Sequence, residues 1–183
     1  MESHDTAAIE IRTAEGAKAY FIASHCSDRN FGPVIELTAE GGKAVWENGR
    51  AATVTYADGT QETCPSDARN RVKMILNLLE AIRLGDASML RCPLEEARKM
   101  VLALDGAHES SGRIHRIGPA VARRVDEGTD KARTVVDGLD DLLVLAARQR
   151  CLFSDLDPAP RWSVKTSVFD LTDYSEFPRR FQA

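Results

Sequence analysis

No apolar run in this chain approaches the twenty or so residues that a bilayer crossing requires. Positive charge is not in excess either. Twenty-four lysines and arginines face 28 aspartates and glutamates, a formal charge of −4, with a pI of about 5.6. That balance implies no basic face for nucleic acid and is too mild for an acidic disordered tail. The four cysteines, Cys26, Cys64, Cys92 and Cys151, are scattered and form no C-x-x-C pair. They read as reduced thiols in a cytoplasmic protein rather than as disulfides or a zinc site. The opening Met1-Glu2-Ser3-His4-Asp5 is polar and acidic, unlike a secretory signal. There is no internal repeat, no low-complexity segment and no glycine-rich phosphate loop. Gly41-Gly42 joins two expected antiparallel strands and lacks the G-x-G-x-x-G spacing.

The 183 residues fall in the usual range for one domain. With 43% hydrophobic and 28% charged residues, the chain belongs with ordinary soluble globular proteins. Its organising stretch runs from Ile9 to Thr63, apolar strands cut by glycine turns. Ile9–Arg12 and Lys18–Ser24 flank a short turn at Glu15-Gly16 and are expected to form a hairpin. Val34–Leu37, Ala44–Trp46 and Thr53–Tyr56 follow, separated by Glu40-Gly41-Gly42 and Asn48-Gly49, with Asp58-Gly59 turning the chain once more. Asn-Gly and Asp-Gly are strong hairpin signals because the tight two-residue turns need positive φ. Lys18–Ser24 is apolar on both faces, with Ala19, Phe21 and Ala23 on one and Tyr20 and Ile22 on the other. A strand of that kind is buried on both sides. Helices can cover one side; the other needs a second layer from this chain or from another subunit, which points to oligomerisation through the sheet with Tyr20, Phe21 and Ile22 as interface candidates.

Residues 66–84 are expected to be helical, capped by Ser66 or Asp67 and stopped by Gly85, with Val72, Ile75, Leu76, Leu79 and Ile82 on one stripe. A second helix starts at Pro93, carries Glu95 and Glu96 in its first turn, and ends at Gly112. Ile114–Ile117 suggests a short strand. A third helix is expected to open at Thr129 or Asp130, run through Gly138, and use Val135, Val136, Leu139, Leu142, Leu143 and Ala146 as its apolar face. Trp162–Phe169 alternates like a strand, and Tyr174–Phe181 reads as an arm along the domain surface. The expected fold is α+β: an open, mostly antiparallel sheet with helices packed on one face.

Few residues announce chemistry. His108 and His115 stand seven apart across Gly112, whereas a zinc-binding helix pair needs i and i+4. His108 reads instead as a hydrogen-bonded histidine at the core edge. Asp140-Asp141 reads as a solvated mid-helix pair, and Arg179-Arg180 is too small to argue for phosphate. No G-x-S-x-G elbow supports a nucleophilic serine. His25, Asp28 and Arg29 lie on the loop leaving the second strand, where binding groups tend to sit. They are either a polar rim or the contacts to a small polar substrate.

Two runs, Phe31-Gly32-Pro33-Val34-Ile35-Glu36-Leu37 and Glu40–Asn48, resemble the C-terminal domain of the glucose–fructose oxidoreductase/inositol dehydrogenase/rhizopine (Gfo/Idh/MocA) family. So do Asn77–Asp86, Cys92–Arg98 and the helix end Ala107–Gly112. The resemblance covers residues 8–117. It implies a domain over 1–117 with a helical and strand extension, 118–183, packed on it. It further implies the substrate-side and oligomerisation half of an NAD(P)-dependent oxidoreductase acting on a sugar, polyol or similar small molecule. The chain departs from the family in lacking the Rossmann fingerprint, the Glu-Lys-Pro motif and an Asp-x-x-x-His pair, so no catalytic residue carries over. Expected accordingly are no cofactor bound by this chain alone, no metal, a homo-oligomer formed through the sheet, and NAD(P) held by a Rossmann domain before residue 1 or on another chain. The alternative is a free-standing, non-catalytic binding or assembly module.

Overall fold

The computed structural model describes residues 4–66 and 69–182. The fold is α+β, with open antiparallel sheets, and the chain divides into two compact units. The first unit comprises residues 4–29 and 95–182, and the second residues 30–94. The expected boundary after residue 117 falls inside the first unit.

In the first unit, β1 (Thr6–Arg12) and β2 (Lys18–Ser24) form the expected hairpin, with Ile9 opposite Phe21 and Ala8 opposite Ile22. Helix α2 (Leu94–Ser111) carries Glu95 and Glu96 in its first turn and stops where Gly112 takes φ +72°. A second hairpin, β7 (Ala122–Val125) with β8 (Arg133–Val136), leads into helix α3 (Leu139–Gln149). The core gathers Cys26, Val136, Leu139, Ala146, Phe153 and Leu156, flanked by Ile22 and Trp162, the latter edge-on to Phe153 at 5.4 Å. Burial raises the pKa of the Cys26 thiol, and all four cysteines are free.

Three expectations for this unit are corrected. Val135 and Val136 lie in β8 rather than in a helix, and α3 begins only after Gly138. Gly138 adopts φ +73° at the N-cap, a left-handed turn that an interior helical residue could not make. Residues 114–117 form no strand; Arg113 instead makes an isolated parallel bridge with Gln182. Residues 162–169 also form no strand, because their alternation finds no ladder partner.

The second unit is a meander, β3 (Val34–Ala39), β4 (Gly42–Glu47), β5 (Ala52–Tyr56) and β6 (Gln61–Cys64), followed by helix α1 (Asn70–Leu84). The single sheet expected over 8–64 is therefore two sheets, one in each unit. Gly42 is required where β4 meets β5, since any Cβ there would strike the carbonyl of Thr55. The left-handed stop at Gly85 is as expected, with φ +65°. Arg69 holds the N-cap position of α1 without a side-chain cap bond, so Ser66 does not cap it; Asp67 lies outside the described residues. Among the described residues no helix is long and apolar enough to cross a membrane.

Pairing register decides the faces of this sheet. Ile35 lies opposite Trp46, Leu37 opposite Ala44, Ala44 opposite Val54, and Gly42 opposite Tyr56. Paired residues share a face, so one face is Ile35, Leu37, Ala44, Trp46, Val54 and Tyr56. The reverse carries Glu36, Lys43, Thr53 and Thr55, with Lys43 Nζ 2.6 Å from Glu36 Oε2. The Ile35 side is apolar apart from Glu62, which lies opposite Val54 and accepts from the Tyr56 hydroxyl at 2.8 Å; the reverse is mainly polar, with Val34 and Val45 among its residues.

Candidate functional site

The loop leaving β2 holds the three residues expected to meet a substrate. His25 is exposed, and its backbone N–H donates to the Asp5 carbonyl at 2.8 Å. The backbone N–H groups of Asp28 and Arg29 donate to the two carboxylate oxygens of Asp140, at 2.9 and 3.0 Å. The Arg29 guanidinium reaches Asp140 at 3.0 Å and Asp141 at 3.4 Å. Asp28 in turn receives Arg123 at 3.4 Å and Arg133 at 3.2 Å, while Arg123 also holds Asp137 at 2.9 Å. The loop is thus bound to the β7–β8 hairpin and to the first turn of α3 by alternating charges.

Asp140 overturns the expectation of a solvated mid-helix pair. It sits in the first helical turn, with its side chain only 16% exposed. Burial raises its pKa, but bonds from Arg29 and Asp28 outweigh that and leave it lowered. Asp141 is solvated as expected, 92% exposed. Arg123 is held protonated more firmly than usual, first by its bond to Asp137. Asp28 and Arg29 are thus both ion-paired within this unit, with side chains 56% and 63% exposed.

The most buried charge of the molecule was not singled out from sequence. Glu109, on α2, is fully buried. Its carboxylate accepts from the Tyr174 hydroxyl at 2.7 Å and from three consecutive backbone N–H groups: Arg179 and Arg180 at 2.5 Å, Phe181 at 2.9 Å. Successive N–H groups of this kind form an anion-binding nest. Desolvation pushes the Glu109 pKa up, yet these four donors bring it down to about 2, while burial and Glu109 push Tyr174 up to about 12. Arg179 also lies over the Tyr174 ring at 4.9 Å. The surface arm expected over 174–181 is a clasp closed on a buried carboxylate.

His108 behaves as the sequence suggests. Its Nδ1 lies 2.9 Å from the Leu104 carbonyl, an acceptor only, so Nδ1 carries the proton. Nε2 then accepts from His4 Nδ1 at 3.2 Å. Phe181 meets the His108 ring edge-on at 5.1 Å, and Phe177 does so at 6.0 Å. His115 Nε2 lies 3.4 Å from the Ser111 carbonyl. Among the described residues no group of three histidine, cysteine or acidic side chains can hold a metal, and no buried side-chain polar atom lacks a partner.

What stands unsatisfied is apolar. In the second unit Ala81 is the one buried hydrophobic residue among those described. Leu37 is 65% exposed on the sheet, Ile75 61% and Ile82 67% on α1. The sheet face has a shallow depression of about 340 Å³ lined by Leu37, Ala39, Gly42, Ala44, Val54 and Tyr56. Of the interface candidates, Phe21 is 45% exposed, Tyr20 is half-buried, and Ile22 packs on the α3 core. β2 is therefore covered on one side only. No family model, curated protein or solved structure matches the chain.

Proposed function

We propose that this chain works as an assembly domain, whose second unit supplies the contact surface. One observation carries the reading: both the apolar face of β3–β6 and the apolar stripe of α1 stand bare within their own unit. Exposed apolar surfaces of this kind mark interaction sites. The charged loop at Asp28 and Arg29 is committed to internal ion pairs, which favours assembly over ligand capture by this chain alone.

The resemblance supports a fuller reading. The segments that carry it, Phe31–Leu37 and Glu40–Asn48, include β3 and β4 of an open antiparallel sheet. In that reading the assembly is the oligomerisation and substrate-side half of a cytoplasmic NAD(P)-dependent oxidoreductase for a sugar, polyol or similar small molecule. The nicotinamide then sits on a Rossmann domain outside these 183 residues.

Sedimentation velocity at about 10 µM tests the first statement. A dimer or larger species is expected, shifted toward monomer by Leu37→Glu; a folded wild-type monomer overturns it. Fluorescence titration with NADH tests the second. No saturable binding is expected from this chain, and tight stoichiometric binding overturns the division of labour.

A further inference from the structure

We infer that two copies of this chain pair reciprocally, the α1 stripe of each lying across the apolar β3–β6 face of the other. This inference rests on the assembly reading above and names its partner and geometry.

The two bare surfaces match in kind and size. Val72, Ile75, Leu79 and Ile82 repeat at spacings of three and four, which is the seam of a helix that packs on something. Helix α1, at 15 residues, is about 22 Å long. The sheet face is roughly 20 Å along the strands and somewhat less across four of them. Aliphatic knobs from such a helix fit the depression left by Gly42 between Leu37, Ala44, Val54 and Tyr56. Charge agrees as well. Glu40 and Asp58 sit in the turns bordering the sheet, Glu62 stands on the face itself beside Tyr56, and Arg71 and Arg83 flank the stripe.

Within one copy, α1 is fastened by its opposite side. Asn77 Nδ2 donates to the Met89 carbonyl at 2.8 Å, and Asn77 Oδ1 accepts from Arg91 N at 3.0 Å. Ala81, on that same side, is buried. The stripe faces away from that segment and stands exposed, and the β3–β6 face of a second copy offers it an apolar surface of matching length.

Area supports the same conclusion. The chain exposes 13969 Å². Two compact bodies of these sizes would expose about 10,000 Å² even if fully separate. The surplus is thus above about 3,000 Å² per copy. Obligate dimers bury roughly 2,000–5,000 Å² in total over both partners, so the surplus is ample.

Disulfide mapping decides the matter. In a background with exposed Cys64 and Cys92 changed to serine, Leu37→Cys and Ile75→Cys are placed on separate chains, mixed and oxidised with diamide. Covalent heterodimer is expected, with little Leu37→Cys or Ile75→Cys homodimer. Dominant homodimers would show like faces pairing with like. They would overturn this geometry while leaving the assembly reading intact. An intrachain bond in the double variant, on a monomer, would overturn both. Isotope-filtered NOEs in a mixture of labelled and unlabelled wild-type chains read the same contact without substitution. Interchain signals from Ile75 or Leu79 methyls to the Trp46 or Tyr56 ring are expected, and purely intrachain ones refute the pairing.

Discussion

Glu109→Gln keeps the shape of a fully buried side chain and removes its charge. The wild-type carboxylate accepts from Tyr174 and from the N–H groups of Arg179, Arg180 and Phe181. Glutamine offers one carbonyl oxygen, good for two donors, and turns an NH₂ group toward the others. Hydrogen bonds to a charged group contribute about 1.5–3 kcal/mol each, against about 1 kcal/mol for neutral ones. Losing two of the bonds and weakening the other two removes about 4 kcal/mol at the low end of those ranges, and water recovering part of it as the arm lifts leaves about 3–4 kcal/mol. With a urea slope of about 2 kcal/mol per molar, the midpoint drops by about 1.5–2 M. Trypsin should also cut at Arg179 and Arg180 faster in the variant. The pH dependence has a definite sign. Glu109 has a folded-state pKa of about 2, below the ordinary 4.5. Its contribution is therefore fully present above about pH 4.5 and is lost as pH falls toward 2. The wild type should lose this increment on acidification, and the variant should lack it throughout. A variant with an unchanged midpoint and unchanged arm cleavage would refute the clasp.

Four further outcomes follow from the first unit. Leu139→Ala, at a fully buried position, should destabilise by about 3 kcal/mol in urea titration. Asp140→Ala removes the acceptor for two backbone N–H groups and should cost about 1.5–2 kcal/mol. Arg29→Ala should cost under about 1 kcal/mol, because its guanidinium is 63% exposed; equal losses would show that the ion pair, not the backbone anchor, matters. Burial, then His108 and His115, lower the His4 pKa below 6.5, with Asp5 opposing. Charging His4 is therefore disfavoured in the folded state, so its contribution is full above about pH 6.5 and is lost as pH falls from there through the lowered pKa. An NMR titration placing His4 at or above 6.5 would refute this.

The helices and hairpins were legible where local chemistry decides them. Gly85 and Gly112 stop α1 and α2 as their positions suggest, and the β1–β2 register follows from its turn. Val135 and Val136 misled because a short apolar run fits either period, and only the left-handed Gly138 separates strand from helix. Trp162–Phe169 misled for the opposite reason: alternation is local, whereas a strand needs a partner. Glu109 left no readable signal. Its ligands are backbone N–H groups some seventy residues away, and every sequence supplies those. Asp140 was misplaced because its role depends on where α3 begins.

The first unit is built from both ends of the chain, with residues 30–94 set into its middle. During synthesis this has a consequence of timing. Strand β2 leaves the ribosome roughly a hundred residues before α3, its partner in the core, and Glu109 precedes the arm by about seventy. At ~5–20 residues per second, that gap is on the order of ten seconds. In its second half the meander and α1 are already complete, while the first unit is not. Under the proposed pairing, neighbouring nascent chains on one message would carry both matching surfaces before either first unit is finished.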